Sequence, residues 1–230
     1  MEVRSSSTHA KTLFIDLDLT ITRERAIDII ARELGIEDIV TLILDSNAPE
    51  YAKSSKIAMM LRGYDIDYLK DIVFRKTEIR DGVERLLKIA LDKGYEIHVI
   101  SLTYTQFTEA VMRKIEILYK IDSSMIRIHG PKLEVGPDNR VTGRIIVDPT
   151  QRIKTSFCIE CTVCKRFLVR VYGNGRIISI GDARPDACMF LESHYSIGVR
   201  SRSTRTIVRV NADLFIEDFN KHLDKISEVL

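Results

Sequence analysis

The sequence predicts an α/β fold: a Rossmann-like, mostly parallel sheet with helices on both faces, plus a small helical cap inserted after the first strand. Three observations lead there. Short apolar runs alternate with segments of helical period along the chain. Two of those runs end in aspartate, Leu13-Phe14-Ile15-Asp16 and Ile177-Ile178-Ser179-Ile180-Gly181-Asp182. A long, mostly helical stretch, 22–78, separates the first strand from the second.

Strands are expected at 11–16, 95–100, 125–129, 176–181 and 195–199. Inside the insertion, Ile27, Ile30, Ala31 and Leu34 form one apolar face that Gly35 ends. Helices are also expected at 37–44, 50–62 and 66–76, with a break at Asn47-Ala48-Pro49. Val83, Leu86, Leu87, Ala90 and Leu91 keep a helical period over 81–93, and Gly94 terminates it. Phe107, Ala110, Val111, Ile115 and Leu118 mark a helix at 105–119. Leu133–Val147 alternates around Gly136-Pro137-Asp138-Asn139, the pattern of a β-hairpin. The expected domains are a catalytic core of 1–21 and 79–230 and a cap of 22–78. A helical block in that position would close over the sheet end as a lid does.

With 230 residues, 45% of them hydrophobic and 30% charged, the chain can bury one good core plus a small appendage. A net charge of +2 does not favour nucleic acid or a membrane as partner. The polar start, Met1–Ala10, has no apolar h-region, and no apolar run is long enough to cross a bilayer, so a cytoplasmic location is expected. Arg200, Arg202, Arg205 and Arg209 lack interleaved aromatics and read as solvated rather than as a nucleic-acid patch, although Arg200 or Arg202 could reach an anionic substrate. His98 falls in a predicted strand and reads as a hydrogen-bonded core residue.

Asp16 and Asp18 sit two residues apart where open parallel sheets hold their ligands. Carboxylates that close need a cation or a shared proton, and a hard ion such as Mg²⁺ fits best. Four pieces then follow in chain order: Asp16-x-Asp18-x-Thr20, Ser101 after an apolar run, a lysine, and Gly181-Asp182-x-x-x-Asp186. With these pieces the sequence resembles the haloacid dehalogenase superfamily of phosphohydrolases, in its phosphoserine phosphatase-like branch. Asp28–Gly35, Leu133-Glu134-Val135 and Thr142-Gly143-Arg144 also look like that branch.

The resemblance implies a Mg²⁺-dependent phosphatase with Asp16 as nucleophile and Asp18 as general acid and base. It implies Asp16, Asp18 (through its carbonyl) and Asp182 as metal ligands, with Asp186 on or behind the metal shell. Thr20, Ser101, Leu102 and Lys165 would bind phosphate, Lys165 being preferred to Lys154 because it stands at an expected helix start. In the cap, Arg25 falls where the branch carries a glutamate for the substrate amine. Ile57, with Lys56 beside it, falls where the branch carries a carboxylate-binding arginine. Leu102-Thr103 replaces a Gly-Gly pair, and Pro185 an asparagine. The chemistry residues survive but the serine-reading ones do not. The expected substrate is therefore another small phosphorylated metabolite, with Arg25 and Lys56 or Arg62 set to meet a second anionic group. The same residues also suit a phosphotransferase or mutase, and a non-catalytic phospho-ligand module is a further alternative. The protein is expected to be a monomer or homodimer.

The four cysteines, Cys158, Cys161, Cys164 and Cys188, include a C-x-x-C-x-x-C run. Zinc with a fourth ligand elsewhere is one reading, and a disulfide, if the source is a hyperthermophile, another. The simplest is small, partly buried thiols leading into a helix.

Overall fold

In a computed structural model, residues 10–147 and 152–230 are described. The polar start therefore lies outside the described residues except for Ala10. Six parallel strands form one sheet: β1 (Lys11–Ile15), β2 (Glu96–Ile100), β3 (Ile126–His129), β6 (Arg176–Gly181), β7 (Tyr195–Val199) and β8 (Leu214–Ile216), in the order β3-β2-β1-β6-β7-β8. The chain winds one way from β1 to β3 and the other way from β6 to β8, so the switch point lies between β1 and β6.

Both faces of β1 are buried, as a central parallel strand requires. Leu13 and Ile15 face a core completed by α5 (Val83–Asp92), α6 (Thr105–Tyr119) and α10 (Leu223–Val229). Phe14 faces the opposite layer, formed by α7 (Lys165–Tyr172), α8 (Arg184–Phe190) and α9 (Thr206–Asn211) through Leu168, Val169, Met189, Phe190 and Val208. His98 is fully buried on β2, with Nδ1 2.9 Å from Nε2 of His129. Among the described residues no helix is long and apolar enough to cross a membrane.

The helices after β1 are α1 (Ala26–Leu34), α2 (Glu37–Asp45), α3 (Glu50–Met60) and α4 (Ile66–Lys76), followed by α5. Gly35 adopts the left-handed conformation (φ 66°) that ends α1, and Ile36 N–H bonds back to Ala31 O at 2.9 Å. Ile57, Ala58, Leu61, Leu69, Ile72 and Val73 form the apolar interior of this insertion. The expected hairpin is β4 (Lys132–Val135) with β5 (Val141–Ile146), antiparallel. It docks on the turn after α3, where Gly63 N–H bonds Val141 O at 2.8 Å.

The expected strands and longer helices recur within two residues of their predicted ends. The three-residue β8 and the short α8, α9 and α10 were not anticipated. None is long enough to display a period that the chain alone makes visible.

Candidate active site

Asp16 follows β1 and Asp182 follows β6, and these strands are neighbours. Asp16 N–H donates to Ile180 O at 3.0 Å, which locks the two strand ends side by side. Beyond β1 the chain turns sharply. Thr20, Ile21 and Thr22 N–H groups all point to Leu17 O, and Leu19 takes a positive φ of 63°. A leucine in that conformation is strained, and such strain gathers at functional loops. Thr20 Oγ1 then donates to Asp182 Oδ1 at 3.1 Å, tying the turn to the second strand end.

Asp16, Asp182 and Asp186 are all buried and bring carboxylate oxygens within 4.8 Å of one another. Lys165, the first residue of α7, is buried among them, bonded to Asp16 and to Asp186 Oδ1 (2.5 Å). Asp186 Oδ2 accepts from the Asp182 and Ala183 N–H groups at 3.0 and 2.8 Å, so this side chain also fixes the strand-to-helix turn. Gly181 makes room for it, because a Cβ there would overlap the Asp186 side chain.

Burial, then the Asp186 charge, pushes the Asp16 carboxyl well above the usual carboxylate range, with Lys165 opposing. Asp182 is pushed up to about 6, again by burial and then by Asp186, while Ser201, Lys165 and Thr20 favour its charged form. Burial by itself would lower the Lys165 pKa, but Asp16 and Asp186 outweigh it and hold the ammonium above its ordinary value. Burial also raises Asp18, against hydrogen bonds from Thr103 Oγ1 and from Ala26 N–H (3.0 Å).

These groups open into one cleft of about 1460 Å³ between the sheet end and the helical insertion. Asp16, Asp18, Ser101, Leu102, Lys165, Asp182 and Asp186 all line it. Two curated relatives match part of the sequence, both phosphoserine phosphatases. The one from Saccharomyces cerevisiae is 27% identical over 142 residues, and the one from Archaeoglobus fulgidus 25% identical over 167 residues. The matches take in 60% and 67% of this chain but only 43% and 44% of those proteins, so the chain spans less than half the length of the curated relatives it matches. Among solved structures, a phospho-aspartyl intermediate analogue of phosphoserine phosphatase superposes with a TM-score of 0.69 at 19% identity, over 95% of this chain and 99% of that one. A HAD-family hydrolase from Salmonella enterica serovar Typhi gives 0.74 at 22% identity, over 96% and 72%. No protein-family model matches. The chain is thus similar in sequence to part of two phosphoserine phosphatases, and it shares the fold of the phosphoserine phosphatase and HAD-family hydrolase structures.

Three buried carboxylates face one ammonium, which leaves an excess of negative charge, and every carboxylate donor is a hard oxygen. A divalent oxygen-seeking cation fits that set.

Not every sequence-predicted residue reaches the cleft. Lys154 is exposed, whereas Lys165 is buried beside Asp16. Thr20 sits beneath the floor, on Asp182. Arg25 lines the cleft and donates to Ser203 Oγ at 2.7 Å. Lys56 does not line it. Lys56 is exposed on α3, and Lys53, about one turn earlier, lines the wall while bonding Leu44 O and Glu50. Helical rotation decides this: Glu50, Lys53, Ser54 and Ile57 line the cleft at the spacing of one helical face, and Lys56, next to Ile57 in the chain, is turned off that face. The arginine group after β7 disperses. Arg200 pairs with Glu217 and Arg209 lies 5.0 Å over the Phe215 ring, while Arg202, paired with Asp28, and Arg205 both line the cleft.

Sequence reasoning gave no role to two hydroxyls that hold the carboxylates, Thr103 on Asp18 and Ser201 on Asp182. Serine and threonine in strand-end loops are common turn residues, and nothing local marks these two.

Proposed function

We propose that this protein is a Mg²⁺-dependent phosphatase that hydrolyses a small-molecule phosphomonoester through an aspartyl-phosphate on Asp16. The observation that carries this reading is the convergence of Asp16, Asp18, Ser101, Lys165, Asp182 and Asp186, from four distant stretches of chain, on one cleft. The phosphoserine phosphatases among its relatives support it.

In this reading residues 22–78 form a cap over a core made of 1–21 and 79–230. An Asp16 oxygen attacks phosphorus as the bond to the leaving oxygen breaks, and Asp18 gives its proton to that alkoxide. Asp18 then takes a proton from water as water attacks phosphorus, the bond to Asp16 breaks and inorganic phosphate leaves. The Ser101 hydroxyl, the Leu102 backbone N–H and the Lys165 ammonium hold the phosphoryl oxygens. Asp16, the Asp18 carbonyl and Asp182, with Asp186 behind them, would hold Mg²⁺. When bound, the ion neutralises phosphoryl charge.

The substrate is proposed to be other than phosphoserine and to carry a second anionic group. Arg25 supports this, since it lines the cleft where the serine-reading glutamate of the branch would stand, and the buried Ile57 stands in place of an arginine. Lys56, being exposed on α3 and outside the cleft lining, gives no support. A Mg²⁺-supplemented screen of phosphorylated metabolites, with Asp16→Asn as control, tests the chemistry. Release of inorganic phosphate by wild type alone is the expected result, and turnover retained by Asp16→Asn would refute the assigned nucleophile. Comparing kcat/KM for anionic and neutral phosphomonoesters in wild type and Arg25→Ala tests the specificity, and equal losses for both classes would refute it.

A further inference from the structure

All four cysteines of the chain gather at one place beside, but outside, the acidic floor. Cys158, Cys161 and Cys164 lie in the loop that leads into α7, and Cys188 lies on α8, which packs against α7. Thr155 Oγ1 reaches Cys188 Sγ at 3.6 Å and so pins the start of the loop to α8. All four are free thiols, and all are half-buried.

The surroundings need an explanation that thiols used only as filling do not give. Residues 152–164 contain no helix or strand, although they run beside the floor of the cleft. Stretches of that length without regular structure are uncommon in compact domains unless something else organises them. Inside the run, Thr162 is 3% exposed, and among the described residues its Oγ1 has no hydrogen-bond partner. A buried unpaired hydroxyl is rare and is often the mark of a missing water or ion.

We infer that Cys158, Cys161, Cys164 and Cys188 form a four-thiolate site for a thiophilic metal centre, either an iron–sulfur cluster or a zinc ion. Three cysteines spaced by two residues, with a fourth from elsewhere in the fold, match the ligand pattern of a four-iron cluster. Among the described residues no three of the sulfurs lie within 4.8 Å of one another. The centre would bind as thiolates replace thiols, releasing their protons.

Such a centre would brace two parts of the cleft at once. Cys164 precedes Lys165 at the start of α7, and Cys188 follows Asp186 on α8. Within the run, the Ile159 and Glu160 carbonyls accept from the Glu50 and Tyr51 N–H groups of α3, each at 3.0 Å. The loop therefore ties the lysine to the helical insertion.

The test is metal content, with no recourse to turnover. The full chain is purified without oxygen as wild type, Asp16→Asn, Cys161→Ser and Cys188→Ser. Zinc, iron and acid-labile sulfide are measured before and after reconstitution with Zn²⁺ alone or with ferrous iron plus sulfide. Wild type and Asp16→Asn should hold near-stoichiometric metal, and each cysteine variant should hold about tenfold less or lower still. Iron with matching sulfide and visible absorption identifies the cluster, whereas one zinc per chain without sulfide identifies the ion. Alkylation of wild-type thiols serves as a check independent of whether the variants fold. Metal-loaded protein should protect all four thiols until a chelator is added. Four freely reactive thiols after both reconstitutions, or full metal retention in Cys188→Ser, would overturn the site.

Discussion

On the sheet side of the cleft, the buried charged groups are answered more than once. Lys165 meets Asp16 and Asp186, Asp182 meets Thr20 and Ser201, and Asp186 also takes two backbone N–H groups. On the side formed by the helical insertion charged groups make single links, some of them exposed. Arg25 reaches Ser203, the 60%-exposed Arg202 reaches Asp28, and the Tyr104 hydroxyl donates to Ser54 O at 2.6 Å. A buried, over-connected wall holds its atoms in one geometry, as a reaction needs. The exposed ion pairs on the other wall add little, and that wall is held mainly by apolar packing of α4 on α6 and by the Ile159 and Glu160 carbonyls on α3.

This contrast can be broken or sharpened by mutation. The largest effect should come from Asp16→Asn, which is expected to lower turnover by ~10³-fold or more while the circular dichroism spectrum stays native. Next comes Gly181→Ala. Its Cβ displaces Asp186, so denaturant unfolding should show a loss of about 1–3 kcal/mol together with a fall in kcat. A fall in stability with kcat intact would show that Asp186 need not be held so tightly.

Ser201→Ala removes one of two hydroxyls on Asp182 and should raise the Mg²⁺ concentration for half-maximal rate by about 10-fold. An unchanged Mg²⁺ requirement would detach Ser201 from the metal. On the other wall, a double-mutant cycle of Asp28→Ala and Arg202→Ala should give a stability coupling of only ~0.2–1 kcal/mol, since the arginine is exposed. A coupling several times larger would erase the distinction between the walls. The smallest effect belongs to Lys56→Ala, whose kcat/KM should match wild type within about 0.5 kcal/mol, whereas Lys53→Ala should not leave it unchanged.

The acidic floor was legible because its signals are local. Asp16 and Asp182 each follow an apolar run, and Asp186 comes four residues after Asp182, so their neighbours along the chain identify them. Lys165 was legible for a similar reason, standing where a helix begins. The supporting hydroxyls were not, since Thr103 lies 85 residues from Asp18 and Ser201 19 residues from Asp182. Lys56 was placed on the cleft wall from an ungapped alignment, which fixes sequence position but not the rotation of α3 against the sheet.

The sequence by itself determined what depends on near neighbours: the runs that become strands, the period of the longer helices, the glycine that ends α1, and the aspartates left at two strand ends. Those features follow from backbone geometry and from the spacing of apolar side chains, both read over a few residues. Tertiary structure alone decided that β1 lies against β6, that Ser201 and Thr103 close over the carboxylates, that Lys53 rather than Lys56 faces the cleft, and that α8, which carries Cys188, packs against α7. Each of these pairs residues far apart in the chain, and burial of both sheet faces, which acts on the whole chain at once, selects the pairing.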